Sequence, residues 1–209
     1  GISNISDLTS LLGFYAVNNV IYMMVLGSIF SVVLGSNILL KEEYQKTADY
    51  LLSRPLTRSE VFLTKLSLTL LLIVILNLVT ASSGWAGMHL FAKDPVSFNV
   101  FFNLSLFTLM LNVLFGSAGL FISTLVKRAR PVTTLCIGLV LFEYFLFTLS
   151  KITDSVSKLG YASPFKFVRT DVSTAGYGID LPHAAYFTGL SLILIVIAYR
   201  NYLKKDIYV

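Results

Sequence analysis

Charge is what this sequence has least of. Asp, Glu, Lys and Arg make up 13% of its 209 residues, about half the share of roughly 25% found in soluble domains. The bulk of the chain therefore belongs in lipid, and no dedicated soluble domain fits beside it. There is a single cysteine, Cys136, inside an apolar run, which excludes a disulfide framework within the chain. The two histidines, His89 and His183, stand far apart with no paired spacing, so no metal site is expected from them together with Cys136. A G-x-x-x-x-G-K-[S/T] phosphate loop is missing, and the chain is not expected to hydrolyse ATP by itself. No Ser/His/Asp or Cys/His arrangement has the spacing of a catalytic site, so no catalytic residue is assigned. The opening stretch carries neither the n-region nor the h-region of a signal peptide. No repeat of fixed period and no low-complexity segment occurs.

What the chain does have is apolar length. Hydrophobic residues account for 56% and the mean hydropathy is +0.78. Five runs exceed the ~18 apolar-rich residues that mark a spanning helix, at about 14–40, 61–91, 98–126, 132–149 and 183–199. The expected fold is all-α: one polytopic transmembrane bundle over 1–209, with a pre-span segment at 1–13, a polar insert at 41–60 and an outer loop at 151–181. In the first run, Gly27, Ser28, Ser31, Gly35 and Ser36 are small enough to let another helix approach closely. Trp85 is placed in an interface belt.

The net charge of +5 flanks the apolar runs, as topology determinants do, and this distribution argues against nucleic acid as a partner. The insert, the turn Lys127-Arg128-Ala129-Arg130-Pro131 and the C-terminal tail share one side and hold eleven Lys/Arg; the opposite side holds five. The positive-inside rule makes the first side cytoplasmic. Gly1 then falls outside, and a sixth spanning helix is expected ahead of it.

The insert is the densest charged block in the chain. Tyr44, Ala48, Leu51 and Leu52 recur at i, i+4, i+7 and i+8 as one apolar stripe, with Glu42, Glu43, Gln45, Lys46 and Asp49 on the other faces. Pro55 disfavours helical geometry at Arg54, so the helix is expected to end there. Thr57 and Glu60 have the spacing of a capping box, with Leu56 and Val61 as the hydrophobic staple; the capped helix runs on into the second span. On the residues alone, two readings stay open. One is a surface helix on lipid headgroups; the other is a helix that docks a protein.

The segment Glu42-Glu43-Tyr44-Gln45-Lys46-Thr47-Ala48-Asp49-Tyr50-Leu51-Leu52-Ser53-Arg54-Pro55-Leu56-Thr57-Arg58, with Lys65 beyond it, resembles the cytoplasmic motif of ABC-2 type transporter permeases. The matching positions are Glu43, Thr47, Leu51, Leu52, Ser53, Pro55, Thr57, Arg58 and Lys65, while Lys46 stands where many members have Gly. Ser163-Pro164-Phe165 before the last span and the tail Lys204-Lys205-Asp206 are similar to the family too. The resemblance implies a permease subunit of an ATP-driven exporter in a cell membrane, such as a bacterial cytoplasmic membrane, moving or extracting a hydrophobic or amphipathic substrate. It implies that the insert is a coupling helix in a cleft of a separate ABC-type ATP-binding subunit, which carries ATP and Mg, so this chain has no cofactor of its own. Glu42, Glu43, Tyr44, Thr47, Leu51, Leu52, Arg54, Pro55 and Arg58 would form that docking surface. A second permease protomer, in a homo- or heterodimer, and membrane lipid complete the implied partners. Alternatives are a transporter dedicated to bacteriocin immunity or exported metalloenzyme maturation, and a membrane scaffold or signalling subunit that recruits a cytosolic partner without transport.

Glu143 is the one carboxylate well inside a span, in the run LVLFEYFLF. An intramembrane acid is costly and marks a substrate or proton pathway by default. The competing reading is a structural carboxyl, protonated or hydrogen-bonded to a polar group such as Asn77, Asn103 or Asn112. A membrane-embedded enzyme using Glu143 as acid or base lacks a second catalytic partner.

Overall fold

Hydrocarbon offers no partner for a backbone N–H or C=O, so a spanning segment must satisfy both within itself, and the chain answers with helices. A computed structural model describes residues 11–44, 57–91, 97–126, 129–152, 154–168 and 179–204. A short helix α1 (Leu11–Phe14) passes through a π-helical stretch, Tyr15–Val20, into α2 (Ile21–Tyr44). There follow α3 (Arg58–Phe91), α4 (Phe98–Leu125), α5 (Ala129–Ile152), two 3-10 segments at Asp154–Ala162 and Pro164–Phe167, and α6 (Leu181–Lys204). No strand occurs among the described residues. The five long helices are each apolar and long enough to cross a bilayer, and they coincide with the five runs expected from the sequence. This is a multi-pass membrane bundle.

The ends of α5 and α6 lie further out than expected. α5 takes in Arg130 and Pro131, which a proline-based boundary leaves out. Pro131 sits in the first turn, where the backbone N–H groups have no intrahelical acceptor and none is lost. α6 likewise starts at Leu181, takes in Pro182, and runs on through the polar residues Arg200 and Asn201 to Lys204.

The bundle is organised around α4, which packs against α2, α3, α5 and α6. Its closest neighbour is α2, and the reason lies in the small residues. A Cβ at Gly35 would overlap the Gly116 carbonyl oxygen, one at Gly119 would overlap the Val32 carbonyl oxygen, and one at Gly27 would stand 2.7 Å from Asn112 Nδ2. With no side chains between them, the two backbones meet directly, and van der Waals contact replaces the hydrophobic drive that lipid does not supply. Ser28, Ser31 and Ser36 on the same face of α2 are fully buried.

Many polar groups inside the bundle are answered locally, while Ser31, Ser191 and Asn103 Oδ1 are buried without a hydrogen-bond partner. Thr69, Thr80, Thr108 and Ser117 return their hydroxyls to carbonyls one turn back. Asn112 of α4 ties three helices: its Oδ1 accepts from Ser28 at 3.3 Å, and its Nδ2 donates to Asn77 Oδ1 at 3.1 Å. Asn77 in turn donates to the Ile73 carbonyl at 2.8 Å. The outward faces of α3, α5 and α6 carry Leu71, Leu78, Phe142, Phe145, Ile193 and Val196, all exposed, as lipid contact requires.

Of the outer loop expected at 151–181, residues 154–168 fold back onto α5. Phe165 is fully buried, 5.4 Å from the Phe115 ring, 5.6 Å from Tyr144 and 6.2 Å from Phe147. Pro164 starts the second 3-10 segment, and the turn it fixes lets Phe165 enter the bundle. At the end of α3 opposite the insert, Trp85 lies 4.5 Å from His89, 5.2 Å from Phe98 and 5.0 Å from Phe101, while Tyr15 stacks on Phe101 at 5.4 Å.

Candidate functional site

The charged insert meets the bundle at the start of α3. Thr57 has a side chain short enough to reach back to the first free N–H groups of the helix, and Glu60 lies one turn on. The Thr57 N–H donates to Glu60 Oε2 at 2.7 Å, the Thr57 hydroxyl donates to the same oxygen at 2.9 Å, and the Glu60 N–H donates to Thr57 Oγ1 at 3.3 Å. This is the reciprocal capping box expected from the spacing. Its carboxylate also sits where the helix macrodipole favours negative charge. Replacing Thr57 with Ala removes a cap worth about 1 kcal/mol. Amide exchange over 58–61 is therefore expected to quicken by roughly fivefold, read by hydrogen–deuterium exchange; unchanged exchange would mean that the cap does not hold this end.

One face of that first stretch is fastened to two other helices. Arg58 Nη1 donates to the Leu203 carbonyl at 3.4 Å, and the Ser59 and Tyr199 hydroxyls share a hydrogen bond of 2.8 Å. Phe62, 1% exposed, puts its ring 5.4 Å from Tyr199 and 5.6 Å from Tyr202. Lys65 Nζ reaches the Ile38 carbonyl of α2 at 2.9 Å. Leu39, Leu120 and Ala198 close the apolar cluster around Phe62. Positions 58, 59, 62 and 65 are i, i+1, i+4 and i+7, one helical face. The start of α3 is thus clasped between the ends of α2 and α6.

Of the predicted docking residues, Arg58 stands in this clasp. Glu42, Glu43 and Tyr44 are placed by their backbone at the end of α2. Thr47, Leu51, Leu52, Arg54 and Pro55, with the Leu56 half of the staple, lie outside the described residues. Ser59, Phe62, Tyr199 and Tyr202 were not singled out from the sequence. Ser59 and Tyr199 are 140 positions apart, and no local pattern links them; the i, i+3 tyrosines were the one available hint.

Glu143 is on the bundle-facing stripe of α5, since Cys136, Val140, Glu143 and Phe147 recur at i, i+4, i+7 and i+11 and the other three are buried. Of the asparagines weighed for it, Asn77 and Asn112 bond each other and Asn103 Nδ2 bonds the Asn99 carbonyl, while Asn103 Oδ1 has no partner. Glu143 Oε2 is buried and accepts no hydrogen bond. His183 pairs with Asp180 at 2.7 Å, His89 packs on Trp85 and Cys136 is buried in α5. A cavity of about 20 Å³, room for one water, lies among Tyr15, Asn77, Thr80, Ser105 and Thr108.

The family model described as ABC-2 family transporter protein matches residues 3–207. Among curated proteins nothing matches this chain.

Proposed function

The chain belongs to the ABC-2 transporter family, the membrane-spanning permeases of ABC transporters, and from that premise we propose that it is driven as an exporter by a separate ATP-binding subunit seated on the 41–60 insert. The observation that carries this reading is the clasp at the start of α3. A docking segment can drive a bundle only if its motion is passed on, and here the helix that leaves the insert is capped by Thr57 and Glu60 and fixed to α2 and α6 through Arg58, Ser59, Phe62 and Lys65. A headgroup-binding surface helix would need no such attachment.

On this reading Tyr44, Leu51 and Leu52 supply apolar contact with the ATPase. Glu42, Glu43 and Arg54 supply polar contact, Thr47 and Pro55 shape the segment between them, and Arg58 ties its end to α6. ATP and Mg are held by the partner. Closure of two ATPase subunits displaces the inserts of two permease protomers, and each insert carries α3 with it. The cargo is a hydrophobic or amphipathic molecule, moved across the membrane or drawn from it.

The test is the composition of the complex extracted from native membranes in mild detergent. A subunit bearing a phosphate loop is expected to co-purify in a stoichiometric amount and to be lost when 41–60 is replaced by a Gly/Ser linker. An intact complex that contains no ATPase would overturn the reading in favour of a scaffold.

A further inference from the structure

A polar cavity lies where the π-helical stretch, α3 and α4 meet. Tyr15 and Val20, the two ends of that stretch at i and i+5, both line it. Asn77 and Thr80 reach it from α3, and Ser105 and Thr108 from α4. Tyr15 comes this close to α3 because Gly84 leaves room for its ring: a Cβ there would stand 2.8 Å from the phenol oxygen. π-helical turns are rare and concentrate at functional sites, so a polar cavity against one of them calls for an occupant.

Size and chemistry together name that occupant. The cavity measures about 20 Å³, above the roughly 10–15 Å³ that one water needs. Its lining offers both donors and acceptors. Thr80 Oγ1 donates to the Leu76 carbonyl at 2.9 Å and Thr108 Oγ1 to the Leu104 carbonyl at 2.8 Å. A hydroxyl has one hydrogen, so both oxygens keep lone pairs for an incoming O–H. Asn77 Nδ2 gives one N–H to the Ile73 carbonyl at 2.8 Å and keeps a second. Ser105 Oγ is buried and has no hydrogen-bond partner among the described residues. A hydroxyl left in that state costs free energy, and a bridging water with two to four polar partners recovers it.

We propose that this cavity is a binding site for a single ordered water, which bridges the π-helical turn to α3 and α4 through Tyr15, Asn77, Thr80, Ser105 and Thr108. The site does not depend on the transport reading.

Met23 also lines the cavity and supplies the reporter, because hydroxyl radicals convert a methionine to its sulfoxide. Its neighbour Met24 is 1% exposed and does not line the cavity, so it serves as the control. The experiment is X-ray footprinting of the intact complex in nanodiscs, in which radicals form from water where it sits. Met23 is expected to oxidise several times faster than Met24. After rapid dilution into heavy-oxygen water, Met23 should go on taking up the original oxygen when Tyr161, 65% exposed in the outer segment, has already switched. Ser105→Leu fills the cavity and should abolish the excess labelling of Met23. Thr108→Val keeps the shape but removes one acceptor, and should hasten the switch at Met23 by about fivefold. If Ser105→Leu fails to fold, Thr108→Val alone decides. Equal rates at Met23 and Met24, as an alkyl chain in the cavity would give, overturn the site. So does a Met23 that switches together with Tyr161, or one whose labelling the folded variants leave unchanged.

Discussion

Gly35→Val is expected to unfold the crossing of α2 and α4. Whatever side chain is placed at Gly35 meets the Gly116 carbonyl oxygen, a backbone atom in the middle of a helix, and not the movable end of a side chain. Overpacking against side chains costs about 1–3 kcal/mol. Here relief requires the two helices to separate, which would also break the Ser28–Asn112 and Asn112–Asn77 bonds, so the cost should exceed about 3 kcal/mol. For a chain of this size that corresponds to a fall of roughly 10 °C in the thermal midpoint, measured on the purified protein in detergent. Gly119→Ala should act in the same direction, because its Cβ overlaps the Val32 carbonyl oxygen. Gly138→Val is the control: nothing lies within 4 Å of a Cβ there, and its midpoint should stay within about 2 °C. An equal loss at Gly35 and Gly138 would show that close backbone approach is not what holds these helices.

Reversing Glu42 and Glu43 to Lys should leave the bundle folded and separate ATP hydrolysis from transport. Both residues lie at the end of α2, beyond Leu39 and Leu40, the last buried apolar residues among its described side chains. Their proposed work is polar contact with the ATPase. Turning two negative charges into two positive ones at an interface both removes attraction and adds repulsion, and losing such pairs costs about 2–5 kcal/mol. The expected result is a thermal midpoint within about 2 °C of the parent. Basal hydrolysis by the ATPase should be retained, while transport per ATP falls by more than tenfold. Normal transport with both reversals in place would reduce these glutamates to headgroup contacts.

The amount of this structure that the sequence discloses follows from the range of each interaction. The five spans are legible because apolar length is a local property, and the capping box because Thr57 and Glu60 are three residues apart. The small residues of α2 marked a close approach correctly but could not say which helix would come near. That depends on Gly116 and Gly119, about eighty positions later. The clasp was hidden for the same reason, since Ser59 and Tyr199, or Arg58 and Leu203, become neighbours only once α6 has returned to the insert's side. Phe165 shows a different limit. Its segment reads as a polar loop by composition, and only packing against Phe115, Tyr144 and Phe147 reveals that one residue of it belongs to the core.

The interior contact of α3 has a mechanical consequence. From Arg58 to Ser83 no glycine or proline interrupts this helix, so it behaves as a stiff rod. Ile73, fully buried, rests directly on the α4 backbone where Gly116 offers no side chain. That contact is a fulcrum. At 1.5 Å per residue the arm from Ile73 to Arg58 is about 22 Å and the arm from Ile73 to Trp85 about 18 Å. A sideways push delivered at the capped end would therefore reappear at Trp85 in the opposite direction and at about four-fifths of its size. The contacts of Trp85 with Phe98 and Phe101 of α4 would then shift whenever the start of α3 moved.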